Sequence, residues 1–155
     1  STDCETGTDR IREALSGISE QVDIVVNIQG DEPLITSEII DSIVKPMLKN
    51  PDISISTAYT QIENEKEYYD KNVVKVIINK LGYAIYFSRS PIPYMKIWKK
   101  GIALKHIGIY AYTTKFLAHL PLIDSSNLER SENLEQLRIL ENGIPIKAVS
   151  VEYDG

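Results

Sequence analysis

The run Val22-Asp23-Ile24-Val25-Val26-Asn27-Ile28 limits the possible folds more than any other part of this chain. It is too continuously apolar for a strand with one wet face, and reads as a central parallel strand covered on both sides. Gln29-Gly30-Asp31-Glu32-Pro33 then breaks it abruptly. Beyond Thr36, which can cap a helix, Ile39, Ile40, Ile43, Val44 and Met47 recur at helical intervals until Asn50-Pro51 stops the pattern. Strand, polar loop and helix in that order is the repeating unit of an α/β sheet with helices on its faces, so the expected fold class is α/β.

The rest of the chain fits that unit. Thr8 to Leu15 has helical spacing at Ile11, Ala14 and Leu15, with Thr8 or Asp9 as a cap and Gly17 as a stop. Ile53 to Tyr59 is β-like, and Val73 to Ile78 with Tyr83 to Phe87 flank a connection of hairpin length, Asn79-Lys80-Leu81-Gly82. The chain leaves the sheet at Ser90-Pro91-Ile92-Pro93, because proline offers no amide donor. Trp98 to Leu104 reads as a mobile surface connection, followed by a strand over Lys105 to Tyr112 and a short helix over Thr114 to Leu120. Leu134, Leu137, Ile139 and Leu140 mark a helix ending near Asn142-Gly143, and Ile146 to Glu152 returns as a strand.

With 155 residues, 43% of them hydrophobic, the chain can bury a core, and no repeat or linker divides it, so 1–155 is expected to form one α/β domain. A net charge of -5 argues against a nucleic-acid or anionic-membrane surface. The single cysteine, Cys4, allows no internal disulfide, and no apolar run reaches the roughly 18 residues of a membrane span. A cytoplasmic location is the expectation. The start at Ser1 without methionine, and the end just after a strand-like run, suggest excision from a longer chain.

The acidic turn carries the clearest chemical signal. In open α/β sheets ligands bind beyond the carboxyl ends of strands, so Asp31 is a candidate magnesium ligand there. The alternative is a polar turn in which Asp31 or Glu32 only caps the next helix. Elsewhere, taken singly, His106 reads first as a structural histidine; Tyr110 can be packing, Glu135 with Arg138 a solvated helix pair, and Arg89 an anchor for a carboxylate.

Five segments, in order, resemble the CMP-Kdo synthetases, the 3-deoxy-manno-octulosonate cytidylyltransferases. They are Gly7-Thr8-Asp9-Arg10, Val25 to Pro33, Gly82 to Pro93 with Phe87-Ser88-Arg89-Ser90-Pro91-Ile92-Pro93 at its end, His106-Ile107-Gly108-Ile109-Tyr110, and Leu134-Glu135-Gln136-Leu137-Arg138. The resemblance implies a three-layer, Rossmann-like mixed sheet of the nucleotide-diphospho-sugar-transferase kind. It further implies a magnesium-dependent reaction in which a hydroxyl of 3-deoxy-D-manno-octulosonate (Kdo) attacks the α-phosphorus of CTP, giving CMP-Kdo for lipopolysaccharide synthesis.

By matched position, Asp31 holds the metal and acts in catalysis together with Gln29, which also contacts the sugar. Arg89, His106, Tyr110, Glu135 and Gln136 complete the Kdo pocket, while Gly7, Thr8 and Arg10 recognise cytosine. Such a pocket needs cations near the acid and paired donors and acceptors around the ring. A homodimer is also implied, with the hairpin around Asn79 to Gly82 a candidate contact. The family's basic glycine loop and its second metal-binding aspartate have no counterpart between Ser1 and Gly155, so the chain alone is expected to be inactive. Competing readings are a cytidylyltransferase for another sugar acid, 8-amino-Kdo or a sialic acid, and a noncatalytic sugar-acid or nucleotide-binding domain.

Overall fold

A computed structural model describes residues 21–30 and 34–153. The helix expected over Thr8 to Leu15 lies outside them. The elements in chain order are β1 (Ile24–Ile28), α1 (Ser37–Lys49), β2 (Ile55–Gln61), α2 (Glu65–Tyr69), β3 (Lys75–Ile78), β4 (Ala84–Ser88) and β5 (Leu104–Thr113). They continue with α3 (Thr114–His119), a 3-10 turn (Leu120–Leu122), α4 (Asn127–Glu132), α5 (Gln136–Glu141) and β6 (Lys147–Ser150).

The sheet runs β4-β3-β5-β2-β6, with β1 also paired to β5. β5 is its spine. β2 follows one edge of β5 from Leu104 to Tyr112, while β3 takes the start of the other edge and β1 the end, from Ile109 to Thr113. Among the described residues β1 runs antiparallel to β5, where a parallel strand was expected. The apolar run reported burial on both faces correctly, since Val25 packs into one core and Ile24 and Val26 into the other. Two-sided burial is typical of parallel strands but also suits a central antiparallel one, so it does not fix direction. Among the described residues the parallel pair is β2 with β6.

Alternation along β5 sends Tyr110 and Tyr112 to one face and Ile107, Ile109 and Ala111 to the other. α1 covers the second face through Ile39, Ile43 and Met47, and α3 and α5 cover the first through Phe116, Leu117, Leu137 and Ile139. The result is the expected three-layer arrangement, a mixed sheet between helices. The β3–β4 hairpin forms where expected. Asn79 accepts from the amides of Leu81 and Tyr83 through its side chain, and Gly82 takes φ +78, a conformation that disfavours any side chain. Trp98 packs half-buried with Ile62, Tyr68 and Ala103 instead of lying on the surface.

Candidate functional site

Three local devices open a cavity at one end of β5. The first is a bulge: Thr57 opposes Tyr110, but the next residue of β2, Ala58, opposes Ile107. Gly108 and Ile109 are therefore extra on β5, which bends the strand without changing which face its side chains take. The Thr57 hydroxyl fills the gap, donating to the Ile109 carbonyl at 2.7 Å. His106, Gly108 and Tyr110 consequently line the cavity together.

The second device is Arg89, just past β4. Its Nε donates to the Glu132 carbonyl at 2.9 Å, one terminal nitrogen to Lys71 O at 3.2 Å and the other to Asn133 O at 3.3 Å. Three of its five N–H groups are thus spent on backbone, leaving two for a ligand. The Glu132 carboxylate returns the grip, accepting from Ser88 Oγ at 2.5 Å and from the Arg89 amide at 2.9 Å. Burial alone would raise the Glu132 carboxyl, but these bonds, with Tyr86 and Arg89 adding, hold it below the usual range.

The third is Asn133, which ends α4 in the left-handed region at φ 53 and turns the chain into α5. Glu135 and Gln136 then sit at the first turn of α5 and face the same cavity. Arg138 reaches back from α5 to Glu129, whose carboxylate also closes a capping box with Ser126.

The cavity has a volume of about 860 Å³, within the range of small-molecule sites. Gln29, Arg89, His106, Tyr110, Glu135 and Gln136, all singled out from the sequence, line it. Asp31, Gly7, Thr8 and Arg10 lie outside the described residues. Asn72, Lys105, Asn133 and Tyr153 also line the cavity and were not anticipated. Of these, Asn133 carried a legible signal, because asparagine is the common non-glycine residue in a left-handed helix stop.

His106 is held deep in this wall. Its Nε2 lies 2.9 Å from Thr57 Oγ1, and its ring meets the Phe87 edge at 5.0 Å and tilts against Tyr110 at 5.4 Å. Burial pushes its pKa down to about 3, so the imidazole is neutral at pH 7. Burial also raises the Tyr110 phenol well above its ordinary value, with Tyr112 and Glu135 adding to the effect. The Tyr110 hydroxyl is buried without a hydrogen bond of ordinary geometry among the described residues. With the imidazole neutral and the phenol protonated, both present neutral hydrogen-bonding groups near pH 7.

Among the described residues no group of three His, Cys, Asp or Glu side chains could by itself hold a metal ion, and no helix is long and apolar enough to cross a membrane.

A mixed sheet between helices, with a cavity at strand ends, defines a three-layer α/β protein laid out to take a small molecule. The profile of one family, described as cytidylyltransferase, matches residues 1–147, and the chain belongs to that family. It is 45% identical to the 3-deoxy-manno-octulosonate cytidylyltransferase of Thermodesulfovibrio yellowstonii, over 96% of this chain and 63% of the relative. It is also 45% identical to the enzyme of that name from Zea mays, over 99% of this chain and 52% of the relative. A solved structure of CMP:2-keto-3-deoxy-manno-octonic acid synthetase complexed with CTP superposes with a TM-score of 0.86 at 37% identity, covering 96% of this chain and 61% of that one. The chain spans less than two thirds of the length of each of these proteins.

Proposed function

We propose that the chain forms the sugar-acid side of a cytidylyltransferase that couples CTP to Kdo. In this reading the anomeric hydroxyl of the sugar forms a bond to the α-phosphorus of CTP, the bond to the β-phosphate oxygen breaks, and CMP-Kdo and pyrophosphate leave. The observation that carries the reading is the convergence of Gln29, Arg89, His106, Tyr110, Glu135 and Gln136 on one cavity, although they come from just past β1 and β4, from β5 and from the start of α5. The two unspent N–H groups of Arg89 suit a carboxylate. His106, Tyr110, Glu135 and Gln136 offer neutral and anionic partners for hydroxyls.

Asp31 is proposed to hold magnesium, which supplies charge neutralisation at the α-phosphate; it lies next to Gly30, the last described residue after β1. Gly7, Thr8 and Arg10 are proposed to meet the cytosine. A homodimer belongs to the same reading, and the exposed Leu81 and Ile85 of the β3–β4 hairpin support a contact there.

The deciding assay measures pyrophosphate release by the intact protein from CTP with Kdo, 8-amino-Kdo or a sialic acid. Kdo is expected to be preferred, and turnover with only another acid overturns the assignment. Asp31→Asn should lower kcat on the order of 100-fold while leaving the melting temperature within a few degrees. Undiminished magnesium-dependent turnover in that variant removes Asp31 from the metal site.

A further inference from the structure

The Thr57 hydroxyl has one proton, with the Ile109 and Ile107 carbonyls and His106 Nε2 around it and the Tyr110 hydroxyl beside it. Ile109 O lies 2.7 Å away, and a carbonyl can only accept. A hydroxyl oxygen that close without its proton between the two atoms would set lone pair against lone pair, so Thr57 donates to Ile109. The Ile107 carbonyl, at 3.5 Å, is the weaker alternative for the same proton and is also an acceptor. Either way, what remains on Thr57 Oγ1 for His106 Nε2, 2.9 Å away, is a lone pair. Nε2 must therefore carry a hydrogen. Thr57 is fully buried, so no solvent competes for this arrangement.

We infer that Thr57 is a positioning residue that locks His106 as the Nε2–H tautomer, leaving Nδ1 as a hydrogen-bond acceptor that selects a ligand hydroxyl and rejects a carboxylate. Nδ1 is the polar atom His106 has left for a ligand, and the residue keeps part of its surface open to the cavity. A carboxylate placed against it would meet acceptor with acceptor. The acid group of a sugar acid is thereby directed away from His106 to a cationic group lining the same cavity, such as Arg89. The selection of a hydroxyl rests on the proposed function; the tautomer does not.

The test begins with nitrogen-15 imidazole correlation spectra of the intact protein at pH 8. The sequence contains two histidines, and they make a contrasting pair. His119 Nδ1 lies 2.8 Å from the Lys115 carbonyl, so His119 must be the Nδ1–H form while His106 is the Nε2–H form. Signals are assigned by loss in His106→Gln. Thr57→Val should move His106 toward the Nδ1–H form, and Thr57→Ser, which keeps the hydroxyl, should not. A wild-type His106 in the Nδ1–H form, or a tautomer unmoved by Thr57→Val, overturns the inference.

In steady-state assays Thr57→Val should raise the KM for the sugar acid about tenfold, the size of one lost hydrogen bond, with the KM for CTP unmoved and Thr57→Ser restoring most of the loss. An equal rise in both KM values, or none, overturns the assigned selectivity. Should Thr57→Val fold poorly, the wild-type and Thr57→Ser spectra still decide the tautomer. Should the protein turn over none of the acids, it is the proposed function that fails, and the spectra decide the tautomer independently.

Discussion

At the scale of single residues, the cavity is built by side chains that spend much of their bonding capacity on the protein. Arg89 shows this plainly: where the plainer reading expected it to anchor a carboxylate, its guanidinium commits three N–H groups to backbone carbonyls and keeps two. His106 carries a measurable consequence. In the unfolded chain an imidazole binds its proton near pH 6.5, whereas burial delays protonation in the fold to about 3. Between those values the unfolded state holds more protons, so stability falls as the pH is lowered. At pH 5 the loss is about 2 kcal/mol relative to pH 7. Glu129 and Glu132 have depressed carboxyl pKa values, so their contribution is intact above the ordinary carboxylate range and is lost only at more acid pH. Urea unfolding at pH 7 and pH 5 isolates the histidine: wild type should lose stability over this interval and His106→Gln should lose much less. Equal losses in the two proteins would contradict a His106 held neutral by the fold.

At the scale of elements, the cavity wall depends on one buried cation. Lys75 is fully buried on β3, and its ammonium donates to the carbonyls of Asp70, Val73 and Arg89 at 2.7, 2.5 and 2.8 Å. Carbonyls are pure acceptors, so all three ammonium protons are matched. Burial lowers the Lys75 pKa, with Asp70 opposing the shift. The contact ties the segment after α2 to the end of β4, and Asn72, Val73 and Arg89 of those segments line the cavity. Lys75→Met keeps the length and removes every donor, leaving three carbonyls short of a partner; it should cost about 2–4 kcal/mol in urea unfolding. A loss below about 0.5 kcal/mol would mean that water replaces the ammonium without penalty. α4 was not anticipated, because Asn127–Glu132 offers little apolar periodicity and buries no residue. Its capping box and the Arg138–Glu129 pair hold it instead.

At the scale of the whole molecule, β5 is bonded along both edges and covered on both faces, by α1 on one side and by α3 and α5 on the other. Opening its central residues requires separating β2, β1 and both helical layers together. Amide exchange should therefore be slowest at Ile107, Ile109 and Ala111, and faster in β4 and β6, which lie at the ends of the strand order. If β4 amides exchange as slowly as those of β5, the spine does not hold the most stable unit. The same strand carries His106 and Tyr110, so two groups proposed to contact the sugar are mounted on the strand bonded along both edges.

The α/β class, the β3–β4 hairpin, α1 and most strand positions were legible in the sequence, because apolar periodicity and glycine or proline punctuation report local geometry directly. Six cavity residues were legible as well, through ordered segments that resemble one family. Strand direction was not, since Val22 to Ile28 is equally apolar whichever way its neighbour runs. Nor were Thr57 and Lys75, whose residue types have no special meaning along the chain. Their importance comes from partners 52 residues away for Thr57 with Ile109, and 14 away for Lys75 with Arg89. Hydrogen bonds of that span exist only once the sheet has closed, and that closure is decided by packing in three dimensions, which no local pattern encodes.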